Sequence, residues 1–121
     1  MLRGLRKSFR DAFRGVAHVF RTQRNMRIHG VAALLVAVAG LLLGLGPLEW
    51  AILVLTICLV LAAEMLNTAL EKLSDYVCPG HHQAIGIAKD VAAGAVLLSA
   101  ASAVLVGVLV LGNRLLSLLG R

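Results

Sequence analysis

Charge is what this 121-residue chain has least of: 15% of its residues are Asp, Glu, Lys or Arg, while 60% are apolar. Residues 30–48 and 91–112 contain no ionisable side chain, and each meets the ~18-residue length of a bilayer-spanning helix. A third stretch, residues 50–66, is apolar except for Glu64 near its end. A water-soluble domain is about half apolar, and one this short cannot hide three such helices. The class excluded is therefore the soluble globular protein, and the bilayer acts as the solvent.

Other scarcities exclude further classes. Only two cysteines are present, Cys58 in a span and Cys78 in the loop after it, so a disulfide-stapled fold is not expected. The run Cys78-Pro79-Gly80-His81-His82 lacks the fourth ligand and paired spacing of a tetrahedral zinc site. No GxxxxGK[ST] segment occurs, which rules out a P-loop. A cleaved signal peptide has a short basic region and a small-residue cleavage site. Here a charged stretch of nearly 30 residues precedes the first span, and Leu45-Gly46-Pro47-Leu48 runs on towards the next, so the segment is read as mature structure.

What charge there is has a pattern. Acids number six against twelve Lys and Arg, and eight of those twelve lie within residues 3–27 beside one acid, Asp11. The positive-inside rule puts this end of a multi-pass protein in the cytoplasm. Three spans then leave residues 44–49 and the C-terminal tail with Arg114 and Arg121 outside, and residues 71–90 inside. Leu2, Leu5, Phe9, Phe13, Val16 and Phe20 recur at helical spacing, with Arg3, Arg6, Lys7, Arg10 and Arg14 on the remaining surface. This predicts an amphipathic helix lying in the interface, its basic side chains towards anionic headgroups. A sequence pI near 10.4 does not imply nucleic acid, because the charge sits on this one membrane-flanking helix without a nucleic-acid-binding motif.

The expected architecture is an all-α integral membrane protein forming a single membrane domain over residues 1–121. It comprises a surface helix over about 4–24 and transmembrane helices over about 28–46, 50–76 and 84–112. Gly44, Gly46 and Pro47 end the first span, and Pro79-Gly80 breaks the second after a cytoplasmic extension. The third helix is rich in Ala, Gly and Ser, which permit close helix approach in a bilayer. Three helices enclose little room for a site, so a homo-oligomer is expected.

Four of the six acids, Glu64, Glu71, Asp75 and Asp90, fall at the cytoplasmic ends of the second and third spans. At ~100° per residue, Glu64, Asn67, Glu71 and Asp75 project within an arc of about 80°. Glu64 follows an uncharged run from Trp50, where exposure to lipid costs several kcal/mol and an ionisable group is by default functional. Partial desolvation makes such a carboxylate a better proton acceptor near neutral pH. Carboxylates beside Lys89, which can neutralise phosphates, point to a nucleotide–Mg²⁺ site. A solvated, charged helix end is the other reading of the same residues.

The segment Ala63-Glu64-Met65-Leu66-Asn67-Thr68-Ala69-Leu70-Glu71-Lys72-Leu73-Ser74-Asp75 resembles the signature of the prokaryotic diacylglycerol kinase family, E-x-x-N-[ST]-A-x-E-x-x-x-D. His82 and Ala88-Lys89-Asp90-Val91-Ala92-Ala93-Gly94-Ala95-Val96-Leu97 are similar to a second family segment. Ser8-Phe9-Arg10-Asp11-Ala12-Phe13-Arg14-Gly15 and Arg24-Asn25-Met26-Arg27-Ile28-His29 extend the resemblance over nearly the whole chain. It implies a homotrimeric lipid kinase, with ATP as phosphoryl donor and Mg²⁺ as cofactor. Glu64 would be the general base, with Asn67 orienting it or the substrate. Glu71 would bind Mg²⁺, joined by Gln23 where many relatives carry a glutamate. Asp75, Gly80, His81, His82, Lys89 and Asp90 would bind ATP. The lipid hydroxyl would sit near Glu64, with Arg27, Asn25, Arg14 and the surface helix beside it. The uncharged Gln23 and the acidic Asp11, at a position often aromatic, depart from the family pattern. The wording of the motifs is closer to the Gram-positive-type branch, which favours undecaprenol; diacylglycerol is the alternative substrate. A small multidrug-type transporter would need a fourth span and a glutamate near mid-bilayer. A non-catalytic membrane subunit would tolerate neutralisation of the acidic stripe.

Overall fold

The computed structural model describes residues 1–120; Arg121, one of the tail charges noted above, lies outside the described residues. Four helices follow in order: α1 (Leu2–Thr22), α2 (Arg24–Leu43), α3 (Pro47–Val77) and α4 (Gln83–Leu119), with no strand among the described residues. The last three are long and apolar enough to cross a membrane. The first is the amphipathic helix, and Leu2, Leu5, Phe9 and Phe13 on its apolar stripe are exposed. The fold is thus an all-α integral membrane architecture of three spans and a surface helix.

A single extended residue, Gln23, separates α1 from α2. The turn is fixed from both sides. The Arg27 guanidinium donates to the carbonyls of Phe20 (3.4 Å) and Arg21 (2.8 Å), meeting the orphan acceptors and negative dipole end of α1. Gly30 lies under the Phe20 ring, where a Cβ would come within 2.9 Å of Cε1. Val19 and Met26 are buried beside this corner.

At its far end α2 stops in a left-handed turn. Gly44 has φ +67°, and the Leu45 N–H returns to the Gly40 carbonyl (3.2 Å), the hydrogen bond of a Schellman cap. Leu45 and Trp50 close over Gly40, which has no room for a Cβ: the Trp50 ring would be 2.8 Å away. Pro47 then opens α3, where its missing N–H costs nothing, and Glu49 accepts from the Gly46 N–H at 3.2 Å.

Helices α3 and α4 run antiparallel and pack along each other more extensively than any other pair. A charged contact ties them at each end. Arg114 of α4 donates to the Leu43 and Gly44 carbonyls (3.2 and 2.6 Å) and lies 3.9 Å from the Glu49 carboxylate. At the opposite end Lys89 donates to Asp75. On either helix the two contacts are about 38 Å apart at 1.5 Å per residue, more than the ~30 Å hydrocarbon core. The pairs are therefore far enough apart for one to lie at each surface of a bilayer. Few apolar side chains are buried within the single chain, and Leu34, Leu35, Leu41, Leu55 and Leu105 all face outwards. That surface belongs to lipid or to other copies.

Candidate active site

Helix α3 carries an unusual set of enclosed polar residues: Glu64 at 2% exposure, Thr68, Asn67 and Ser74. They lie along the half of the helix that ends at Val77, on the side packed by α2 and α4. Thr68 satisfies itself by donating to the Glu64 backbone carbonyl at 2.9 Å. Glu64 and Asn67 do not. Among the described residues, Glu64 Oε2 and Asn67 Oδ1 are buried without a hydrogen-bond partner. An unmatched buried acceptor costs about 1–3 kcal/mol, more if charged, so these atoms await a donor or a cation.

Glu64 faces α2, where His29 Nε2 stands 3.9 Å from its Oε2. One turn on from Asn67, Glu71 is half-buried, and its Oε1 accepts weakly from Asn67 Nδ2 at 3.5 Å. Asp75 follows, exposed and paired with Lys89 of α4. Glu64, Asn67, Glu71 and Asp75 thus form a polar strip along α3, descending from the bundle interior to its surface, with Asn67 paired to Glu71 and Lys89 to Asp75.

The remaining candidates divide. Asp90 is exposed on α4. His82 caps α4, its Nδ1 accepting from the Ala84 N–H at 3.2 Å, while Gly80 and His81 are exposed in the loop before it. Arg27 spends its guanidinium on the end of α1. Arg14 and Asn25 are exposed, and the side-chain amide of Gln23, half-buried at the corner, donates to Thr22 Oγ1 (3.3 Å). Among the described residues none of these last three forms a hydrogen bond or ion pair with the strip.

The donor set at the centre of the strip consists of oxygens: the Glu71 carboxylate and the unpartnered Asn67 carbonyl. Hard cations prefer such ligands, and Mg²⁺ needs only one or two from the protein when phosphates supply the others. No cluster of three or more His, Cys, Asp and Glu occurs among the described residues. The oxygens present suit a hard cation that takes only part of its ligands from the protein.

Beside the strip an apolar groove of about 730 Å³ runs between α2, α3 and α4. Ile28 and His29 line it at the end nearest Glu64, Val60 and Ala100 form its walls, and Leu111 and Gly112 lie at the other end. His29 therefore touches both the groove and the buried carboxylate. Sequence reasoning singled out Glu64 but gave His29 no role, because its importance depends on a neighbouring helix.

The model of the family described as prokaryotic diacylglycerol kinase matches residues 10–111. The chain is 50% identical over 113 residues to a diacylglycerol kinase of Synechocystis sp., covering 93% of this chain and 65% of that relative. The chain thus spans somewhat less than two thirds of the Synechocystis protein's length. It is 40% identical to an undecaprenol kinase of Bacillus subtilis, covering 86% of this chain and 85% of the relative. With a diacylglycerol kinase of Escherichia coli it shares 30% identity over 78% of this chain and 77% of that one.

Proposed function

The chain belongs to the prokaryotic diacylglycerol kinase family, and from that premise we propose that it transfers the γ-phosphoryl group of ATP to the hydroxyl of a membrane lipid. The observation that carries this reading is the buried Glu64 carboxylate, without a hydrogen-bond partner among the described residues, beside an apolar groove. A lipid alcohol brings what that corner lacks, a hydroxyl proton donor attached to a chain that belongs in hydrocarbon.

In the proposed reaction the lipid oxygen forms a bond to the γ-phosphorus as the bond to the β,γ-bridging oxygen breaks, leaving ADP. The hydroxyl proton passes to the Glu64 carboxylate. Asn67 holds Glu71 through its amide, and its carbonyl oxygen has no hydrogen-bond partner among the described residues. Glu71 and Asn67 would hold Mg²⁺, which supplies neutralisation of the phosphate oxygens when bound. Gln23, from the α1–α2 corner, is at most a neutral further ligand. Lys89 is a point charge for the phosphates, and Asp75 keeps its ammonium on the strip. Asp90 and the loop residues Gly80, His81 and His82 border the nucleotide. Phosphoryl transfer asks mainly for positioning and charge neutralisation, and both are within the means of these groups.

Undecaprenol is the favoured lipid, since the motif wording and the relative of matching length both lean that way. Diacylglycerol is the second reading, favoured by the more identical Synechocystis relative. Arg14, Asn25 and Arg27 lie on the surface helix side and would flank the entering headgroup. A homotrimer in the bacterial cytoplasmic membrane, with its basic N-terminus inside, accounts for the outward apolar faces and the small-residue helix. The test is ATP-dependent phosphorylation of each lipid in mixed micelles, with Mg²⁺ and with EDTA. Product that requires Mg²⁺ supports the reading, the ratio of the two lipids assigns the substrate, and no product with either refutes it.

A further inference from the structure

His29 is the last ionisable residue of α2, and unlike the exposed Arg24 and Arg27 its side chain is largely enclosed, at 19% exposure. It faces a carboxylate at 3% exposure whose nearer oxygen has no hydrogen bond among the described residues. No other basic side chain of the described residues forms an ion pair with Glu64. His29 also forms the end of the apolar groove. It is thus an ionisable group that adjoins both the base and the route a lipid chain would take.

We propose that His29 is a positioning residue for Glu64, its Nε2–H donating to Oε2 so that the other oxygen, Oε1, is turned to the lipid hydroxyl. The inference rests on the lipid-kinase reading above. At 3.9 Å the two atoms stand just beyond hydrogen-bond reach. Catalytic hydrogen bonds are often long before substrate binds and tighten in the complex. A small rotation of either side chain closes the gap. Both the Nε2–H tautomer and the imidazolium offer the donor, so the role does not depend on the charge of His29. The proton taken from the lipid hydroxyl ends on Glu64 Oε1, and His29 keeps its own. Without the donor, a glutamate with three rotatable bonds loses its fixed orientation, and the cost falls on the chemical step.

Two measurements on the full chain in mixed micelles decide the matter. In the first, His29→Ala lowers kcat about tenfold or more with KM for ATP and for lipid nearly unchanged, the pattern of a lost transition-state interaction. His29→Gln, which keeps an N–H donor of similar reach but cannot hold a proton, restores most of the rate. An undiminished His29→Ala, or a His29→Gln as impaired as His29→Ala, overturns the proposal. The second needs no turnover: with ¹⁵N-histidine labelling, Glu64→Gln shifts the side-chain resonances of His29 and leaves those of His18, His81 and His82 in place. Unmoved His29 resonances overturn the contact. A wild-type protein inert towards every lipid alcohol refutes the kinase reading instead, and the resonances then decide the His29–Glu64 contact on their own.

Discussion

Burying a polar side chain near a membrane boundary without a hydrogen-bond partner is costly, most of all for a carboxylate, and Glu64 and Asn67 carry that cost about three to four turns inside the end of α3. Neighbouring Glu71 and Asp75 divide the work between metal and nucleotide in the proposed mechanism, and their separation predicts different failures. Asp75→Asn frees Lys89 from its only ion pair among the described residues. It should raise KM for ATP several-fold with a smaller change in kcat, because the ammonium loses its anchor rather than its charge; an initial-rate series in ATP reads this. Gln23 offers the opposite experiment. A second carboxylate there adds charge to a site poor in it, so Gln23→Glu should lower the Mg²⁺ concentration giving half-maximal rate. An unchanged Mg²⁺ dependence would place Gln23 away from the metal.

Between elements, the two ends of the α3–α4 pair are held by different chemistry. Lys89 and Asp75 form a simple charge pair at the functional end. At the other end Arg114 reaches two carbonyls at the close of α2 as well as Glu49 of α3, joining all three spans through one guanidinium. Charge-assisted hydrogen bonds contribute about 1.5–3 kcal/mol each when desolvated and less when half-exposed, as here. Arg114→Ala should therefore lower the thermal midpoint in detergent by several degrees, while Arg114→Lys recovers part of the loss. Because the ties share one helix axis, slippage at Arg114 also moves Lys89, and KM for ATP should rise with it. The spans and the acidic stripe were legible in the sequence because each is a property of one helix: apolar length in the first case, a period of 3.6 in the second. What was not legible crosses between helices. Arg114 read only as a tail charge, and the sequence did not show that His82 caps α4 or that the Arg27 guanidinium closes α1, whatever else those side chains bind. Nothing in spacing alone pairs His29 with Glu64.

For the whole molecule, the single chain leaves most of its apolar surface facing outwards, and its polar strip is buried at Glu64 and Asn67 and reaches the surface at Asp75. Gln23, Asn25 and Arg14 do not meet that strip within one chain, which a trimer can change by presenting one copy's α1–α2 corner to another copy's α3. Native mass spectrometry from detergent should show three copies of the 12.8 kDa chain. Mixing Glu64→Gln and Gln23→Ala subunits should then restore activity if the site is shared between copies, and should not if each copy works alone. The family was readable from the sequence because its two motifs keep joint spacing over the whole chain; the arrangement of copies was not, because no residue type specifies a partner in lipid. The central claim is narrower than either. It is that Glu64 takes the hydroxyl proton, and the direct test is single-turnover transfer from labelled ATP to the lipid by Glu64→Gln, in protein shown to assemble and bind ATP as wild type does. A rate lower by about 10²–10⁴-fold, as loss of a general base predicts, with Mg²⁺-dependent ATP binding intact, is the expected result. Transfer within a few-fold of wild type would contradict the account and leave the buried carboxylate without a role in the chemistry.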